Sequence, residues 1–184
     1  MDDFKNLTEV KTDSQEIFDG VILHVFKDTV QLPNGKLATR EVIRHVGAVG
    51  VVPLTDDGKV IVEKQFRYPL NRVVTEIPAG KLDSFTEDRL SAAKRELEEE
   101  TGYTAQEWLP LGDYIPTCAY CDERITLYLA RGLELGTRHL DEDEFLNFEA
   151  VPLAELVAQV MDGTITDGKT QVAILKTARI LEKL

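Results

Sequence analysis

The sequence predicts an α+β fold or a helix-covered mixed sheet, and three observations point there. Apolar and β-branched runs separated by turn-forming residues fill the first part of the chain; the apolar spacing changes to three and four between Asp88 and Glu100; and an amphipathic segment closes the chain.

Val21 to Phe26 and Thr29 to Leu32 are the first strand-like runs, and Lys36 to His45 is a third. Before the third lie Pro33, Asn34, Gly35 and Lys36, where Asn-Gly is a strong hairpin signal because both residues tolerate positive φ. Gly47 to Leu54 and Val60 to Gln65 flank Thr55-Asp56-Asp57-Gly58, so a second hairpin is expected. Leu90, Ala93 and Leu97 mark one face of a helix over Asp88 to Glu100, with Ser84, Thr86 and Asp88 as candidate N-caps and Gly102 as the stop. Ile125 to Leu129 and Phe145 to Val151 read as further strands, and the acidic run Asp141 to Glu144 as a loop. Helices are expected near Leu153 to Met161 and over Thr170 to Glu182.

With 184 residues, 43% hydrophobic and 29% charged, the composition is that of a globular protein with one active site. No apolar run approaches the roughly 18 residues of a membrane span, and Met1 to Val10 lacks the basic and apolar regions of a signal peptide, so a cytoplasmic location is expected. The net charge of −12 repels nucleic acid and anionic lipid, so a polyanionic substrate needs a local source of positive charge. Cys118 and Cys121 form a C-x-x-C pair, which admits half a zinc site or a redox pair; without a second pair or a nearby His, two buried or semi-buried thiols are the preferred reading. His24, His45 and His139 join no ligand set and read as structural, and Tyr68 and Trp108 read as packed aromatics rather than base-stacking ones.

The most informative stretch is Arg95 to Gly102. At about 100° per residue, Glu96 and Glu100 lie within roughly 40° of each other and Glu99 within about 60° of Glu96. Like charges at this spacing cost a helix roughly 0.2 to 0.5 kcal/mol per pair, and carboxylates in the last turn oppose the macrodipole. Helix stability does not select that arrangement. A solvated acidic face paired to Lys94 and Arg95 is one explanation; a hard divalent cation such as magnesium, bound through oxygen, is the other and would supply the missing positive charge.

Gly80 to Tyr103 resembles the Nudix box, Gx(5)Ex(7)REUxEExGU with U a bulky apolar residue, matching at every position from Glu87 to Tyr103. It departs in having six residues, not five, between Gly80 and Glu87. Other stretches are similar to the ADP-ribose pyrophosphatase branch of that family: Leu32 to Lys36, Thr39 to Glu41, His45 to Val49, Gln65 to Tyr68, Glu76 to Gly80, Asp122-Glu123, and Gly163 to Thr170. Ile115 to Cys118 stands where the branch has Ser-Pro-Gly or similar. The resemblance implies a Nudix fold, a mixed β-sheet sandwiched by helices over residues 46–184. A small antiparallel β subdomain at residues 1–45 precedes it and builds a homodimer.

It further implies hydrolysis of the diphosphate bridge of a nucleoside diphosphate derivative, ADP-ribose first, with magnesium or manganese as cofactor. A nucleoside diphosphate sugar is the alternative substrate, and a catalytically silent ADP-ribose-binding module the alternative class. By similarity Glu96 and Glu100 bind metal, assisted by Glu99 and the backbone carbonyl of Ala79. Glu87 and Arg95, with Gly80 and Gly102, hold the loop-helix-loop together. Arg67, Arg40 and Arg44 grip phosphates or flank the adenine, and Glu76 takes a ribose hydroxyl or a metal. In the acidic loop Glu142 is the general base and Glu144 a metal contact; Glu142 and Glu99 are thus the catalytic carboxylates.

Overall fold

A computed structural model describes residues 4–138 and 146–182. They form ten strands and three α-helices in two compact units, one of Met1–Val46 with Thr117–Glu123, the other of Gly47–Pro116 with Arg124–Leu184.

The first unit is a three-stranded antiparallel sheet of β1 (Val10–Asp19), β2 (His24–Gln31) and β3 (Leu37–Arg44), in that order. Asn34 and Gly35 make the β2–β3 turn as the sequence predicts: Gly35 has φ +82° and the Asn34 side chain accepts the Lys36 N–H at 3.0 Å. Val21, Ile22 and Leu23 are not strand but an exposed connection, and β1 is an unpredicted strand. All ten β1 residues are exposed, so no alternation betrays it; its place comes from backbone pairing with β2. Thr117–Glu123 adds to this unit through an Ile43–Cys121 bridge and through Asp122, whose carboxylate accepts the His45 N–H and pairs with Arg44. The two cysteines lie here with free thiols; Cys118 is exposed, which corrects the expectation of burial.

The second unit holds two sheets. One orders β7 (Ala79–Lys81), β4 (Ala48–Pro53), β9 (Ile125–Leu135) and β8 (Tyr103–Tyr114), with β4 and β9 parallel; the other orders β10 (Leu146–Pro152), β5 (Lys59–Arg67) and β6 (Arg72–Glu76), all antiparallel. The expected second hairpin is therefore corrected. Thr55 to Gly58 does close a tight turn, and Leu54 bridges Val60, but the two strands then part into different sheets. The physical reason is burial: all of β4 and Val60 to Glu63 of β5 are enclosed, and two adjacent hairpin strands would leave part of that surface wet.

α1 (Arg89–Thr101) packs on β4, β7 and β8; α3 (Gly168–Leu181) packs on β4, β8 and β9, beside α2 (Leu153–Met161). Ala48 and Val52 join Ala173 and Ile174 in the main core, together with Val60, Val62 and Leu156, whereas Val49 and Val51, fully enclosed, point to the other side of the strand. The result is a mixed sheet between helices. Among the described residues no helix is long and apolar enough to cross a membrane.

Candidate active site

Asp88 caps α1, accepting from the Ser91 N–H and hydroxyl at 2.9 Å each, and Gly102 ends it at φ +75°, its N–H reaching the Glu98 carbonyl. Of the three candidate caps, Asp88 is the one used. Ser84 and Thr86 bond to each other in the preceding turn, where Phe85 is exposed. That turn lies within the six residues that separate Gly80 from Glu87.

The helix then buries an unusual stripe. Ala92, Ala93 and Leu97 are enclosed, and so are Glu96 and Glu100, at 8% and 5% exposure. Two carboxylates thus share the core-facing side, while Glu99 keeps 42% of its side chain in solvent. Two features of β7 account for their positions. Glu100 Oε2 accepts the Ala79 N–H at 2.9 Å, and the Glu96 carboxyl lies directly against the Cα of Gly80, where a Cβ would fall 2.0 Å from its carbon. Only glycine leaves that space.

Arg95 is the cation of this cluster. Its Nη1 donates to Glu96 Oε1 at 2.8 Å and Glu99 Oε2 at 3.0 Å, and its Nη2 lies 3.4 Å from Glu87 Oε1. Partial burial works against its charge, but Glu96, Glu99 and Asp83 outweigh that and hold the guanidinium firmly protonated. Glu87 in turn accepts the Asp83 N–H at 2.6 Å, so the loop, the helix and the carboxylates are one network. Among the described residues no three His, Cys, Asp or Glu side chains form a ready-made cage for a metal.

A second charged group sits at the end of β6. Glu76, 2% exposed, takes Arg67 Nε on Oε1 at 2.7 Å and Arg67 Nη2 on Oε2 at 2.8 Å, and Oε2 also meets the Lys169 ammonium. Burial pushes the Glu76 carboxyl up, but Arg67 and Lys169 together bring it below the ordinary carboxylate range. Glu63, 1% exposed, is its ladder partner on β5. Glu76 and Ala79 are three residues apart, which limits the two groups to roughly 11 Å along the backbone. Both belong to one short stretch of chain, β6 into β7.

Glu63 and Lys169 were missed by the sequence reading. Glu63 falls inside the expected strand Val60 to Gln65, and Lys169 just ahead of the helix expected from Thr170, in a stretch similar to the branch but with no role assigned to it; only long-range pairing buries them. Arg89 was missed too, with its guanidinium on the Ala48 and Arg124 carbonyls and the Thr126 hydroxyl.

Arg40 and Arg44 lie in the first unit, each occupied by carboxylates there. Arg40 pairs with Glu9, and Arg44 with the buried Asp28 at 2.9 Å and with Asp122 at 3.2 Å. Glu142, Glu144 and His139 lie outside the described residues. On either side of residues 139–145, Arg138 donates to the Glu100 carbonyl at 2.6 Å and to the Leu146 carbonyl at 3.2 Å. Tyr68 is 86% exposed, which corrects the packed reading, whereas Trp108 packs edge-on against Tyr128 at 6.1 Å.

Comparison with known proteins matches residues 44–170 to the model of the NUDIX domain and residues 9–43 to that of the nucleoside diphosphate sugar hydrolase N-terminal domain. The chain is 41% identical over 172 residues to an ADP-ribose pyrophosphatase of Bacillus subtilis, covering 92% of each. It is 39% identical over 171 residues to a methanol dehydrogenase activator of Bacillus methanolicus, covering 91% of this chain and 92% of that one. A solved structure of an ADP compounds hydrolase superposes with a TM-score of 0.85 over 95% of each chain at 21% identity, a likeness of fold.

Proposed function

The chain belongs to the Nudix family of hydrolases, and from that premise we propose that it splits the diphosphate bridge of ADP-ribose, giving AMP and ribose 5-phosphate, with magnesium as cofactor and manganese able to replace it. The observation that carries the reading is the pair of carboxylates, Glu96 and Glu100, buried side by side over Gly80 and Ala79. Two anions one helical turn apart repel each other, and a bound cation would offset that cost.

Nudix enzymes work with divalent ions, and the residues fit one. The donors are hard oxygens, Glu96 and Glu100 share a face, and magnesium needs only one or two protein carboxylates because it keeps several waters. Glu96, Glu100, Glu99 and the Ala79 carbonyl would hold it. When bound, such an ion draws charge from the bridging phosphates and lowers the pKa of a bound water. The chain's own contribution is placement. Arg95 fixes Glu96 and Glu99 from one side, Gly80 lets the Glu96 carboxyl approach the backbone, and the Ala79 N–H aims Glu100. Arg67, held by Glu76, offers its remaining edge to a phosphate. Glu142 is our choice for the base that takes the proton of the attacking water, with Glu144 touching the metal; both rest on the resemblance.

The N-terminal match favours one second reading, a nucleoside diphosphate sugar as substrate. A panel of ADP-ribose and ADP- and GDP-hexoses with magnesium, read by product identity, separates the two. ADP-ribose is expected to be turned over fastest, and equal rates across the panel would overturn that assignment. Tight binding of ADP-ribose without turnover would favour a silent binding module instead. We further propose that the first unit makes a homodimer, because its sheet exposes Val10, Ile17, Phe18 and Leu37.

A further inference from the structure

Lys169 is 7% exposed and stands in the first turn of α3, where the helix dipole disfavours a cation. Neither helix stability nor solvation puts a lysine there. Its partners do: the Glu76 carboxylate, and Asp167 at 3.2 Å. Asp167 is the N-cap of α3, accepting from the Thr170 N–H at 2.9 Å and hydroxyl at 2.6 Å, and the Thr170 oxygen accepts the Ile77 N–H at 2.9 Å. The start of α3 therefore grips two consecutive residues, Glu76 through charge and Ile77 through its backbone.

Glu76 spends both oxygens on Arg67 in a fork, and one of them also on Lys169. Of the three, Arg67 alone is substantially in solvent, its side chain 40% exposed against 3% for Glu76 and 8% for Lys169. An anion that draws on Arg67 weakens the hold of that arginine on a buried carboxylate, and a buried carboxylate left short of a cation is costly. Lys169 stays on the same carboxylate and offsets that cost.

We propose that Lys169 is a positioning residue for substrate binding: through Glu76 it holds the guanidinium of Arg67 in place and keeps Glu76 neutralised while Arg67 engages a phosphate of the diphosphate. The proposal rests on the hydrolase reading above.

The test is a double-mutant cycle with Lys169→Met and Arg67→Ala, assayed with ADP-ribose and magnesium, with thermal melts in parallel. K169M is expected to raise KM on the order of ten-fold, the scale of one charged hydrogen bond, with kcat little changed. In the R67A background the same change should leave KM where R67A has put it, although the melting temperature falls in both backgrounds. Lys169→Arg, which keeps the charge, should restore most of the KM. A KM unaltered by K169M, or an equal loss of activity with and without Arg67, would overturn the proposal by reducing Lys169 to a structural ion pair. Should K169M not fold, Lys169→Gln is read in the same cycle. A wild-type protein that turns over no nucleoside diphosphate refutes the hydrolase reading and this one with it, whereas an active wild type with an indifferent K169M refutes this one alone.

Discussion

The carboxyl of Glu96 occupies the space that a side chain at Gly80 would need: a Cβ there would lie 2.0 Å from the Glu96 carboxyl carbon and 2.2 Å from each oxygen. The clashing group is the far end of a flexible side chain, so relief comes from moving the carboxylate rather than the backbone. Gly80→Ala should therefore fold with a melting temperature close to wild type. Its turnover should fall by about a hundred-fold, the scale on which a 1 Å misplacement acts. Circular dichroism melts beside steady-state assays check this, and normal turnover in a folded G80A would show that Glu96 has no catalytic position to lose.

Glu100 sits one turn on, and its Oε2 accepts the Ala79 N–H. Glutamine keeps that acceptor but removes a negative charge beside Glu96 and near the C-terminal end of α1. Glu100→Gln should lose most turnover and need far more magnesium for what remains, while its stability holds or rises slightly. An unfolded variant, or one with wild-type magnesium dependence, would refute the metal role.

These two predictions rest on residues that local pattern already singled out, because a box on one helix is short-range information. Caps, periodicity and the stop at Gly102 are set within a few residues, and α1, α2 and α3 accordingly lie within two residues of expectation at each end. Strand pairing is not local. The turn at Thr55 to Gly58 was readable, but not that β4 would pair in parallel with β9, because that depends on residues 77 positions later. β8 escaped notice since it is largely exposed and carries Pro110 and Gly112 at a register shift, features that read as loop. The same limit hid Glu63 and Lys169: their burial follows from the β5–β6 register and from the docking of α3, neither of which leaves a mark in neighbouring residues.

The first unit exposes Phe4, Leu7, Val10, Ile17, Phe18, Val21, Ile22, Leu23 and Leu37, and β1 offers an open edge. A homodimer that covers this surface is the expected state, and sedimentation velocity at micromolar concentration should report it. Replacing Ile17 and Phe18 together by serine should shift the protein to monomer without lowering its secondary-structure content, since both side chains are more than half exposed. A wild type that sediments as a monomer would rule the dimer out.

Glu76 has its carboxyl held below the ordinary value of 4.5 in the folded protein, so between that lowered value and 4.5 the unfolded chain binds more protons than the folded one. Stability from this group is fully present above about pH 4.5 and is lost as the pH falls through the folded-state value. Glu76→Gln removes the charge at every pH and leaves Lys169 buried without its main anion, which should cost about 3 to 5 kcal/mol at neutral pH. Asp57, Asp88 and Asp162 are also lowered, by Lys59 and Thr55, by the Ser91 cap and by Thr164, so acid destabilises the variant as well, but less steeply. Melting temperatures of wild type and E76Q, measured without added metal, should differ most near pH 7 and draw together as the pH falls from 4.5 towards the lowered folded-state value, where the wild-type carboxyl is itself taking up a proton. A gap that stays constant across that range would mean that Glu76 does not titrate there, and that the loss in E76Q comes from packing rather than from its charge.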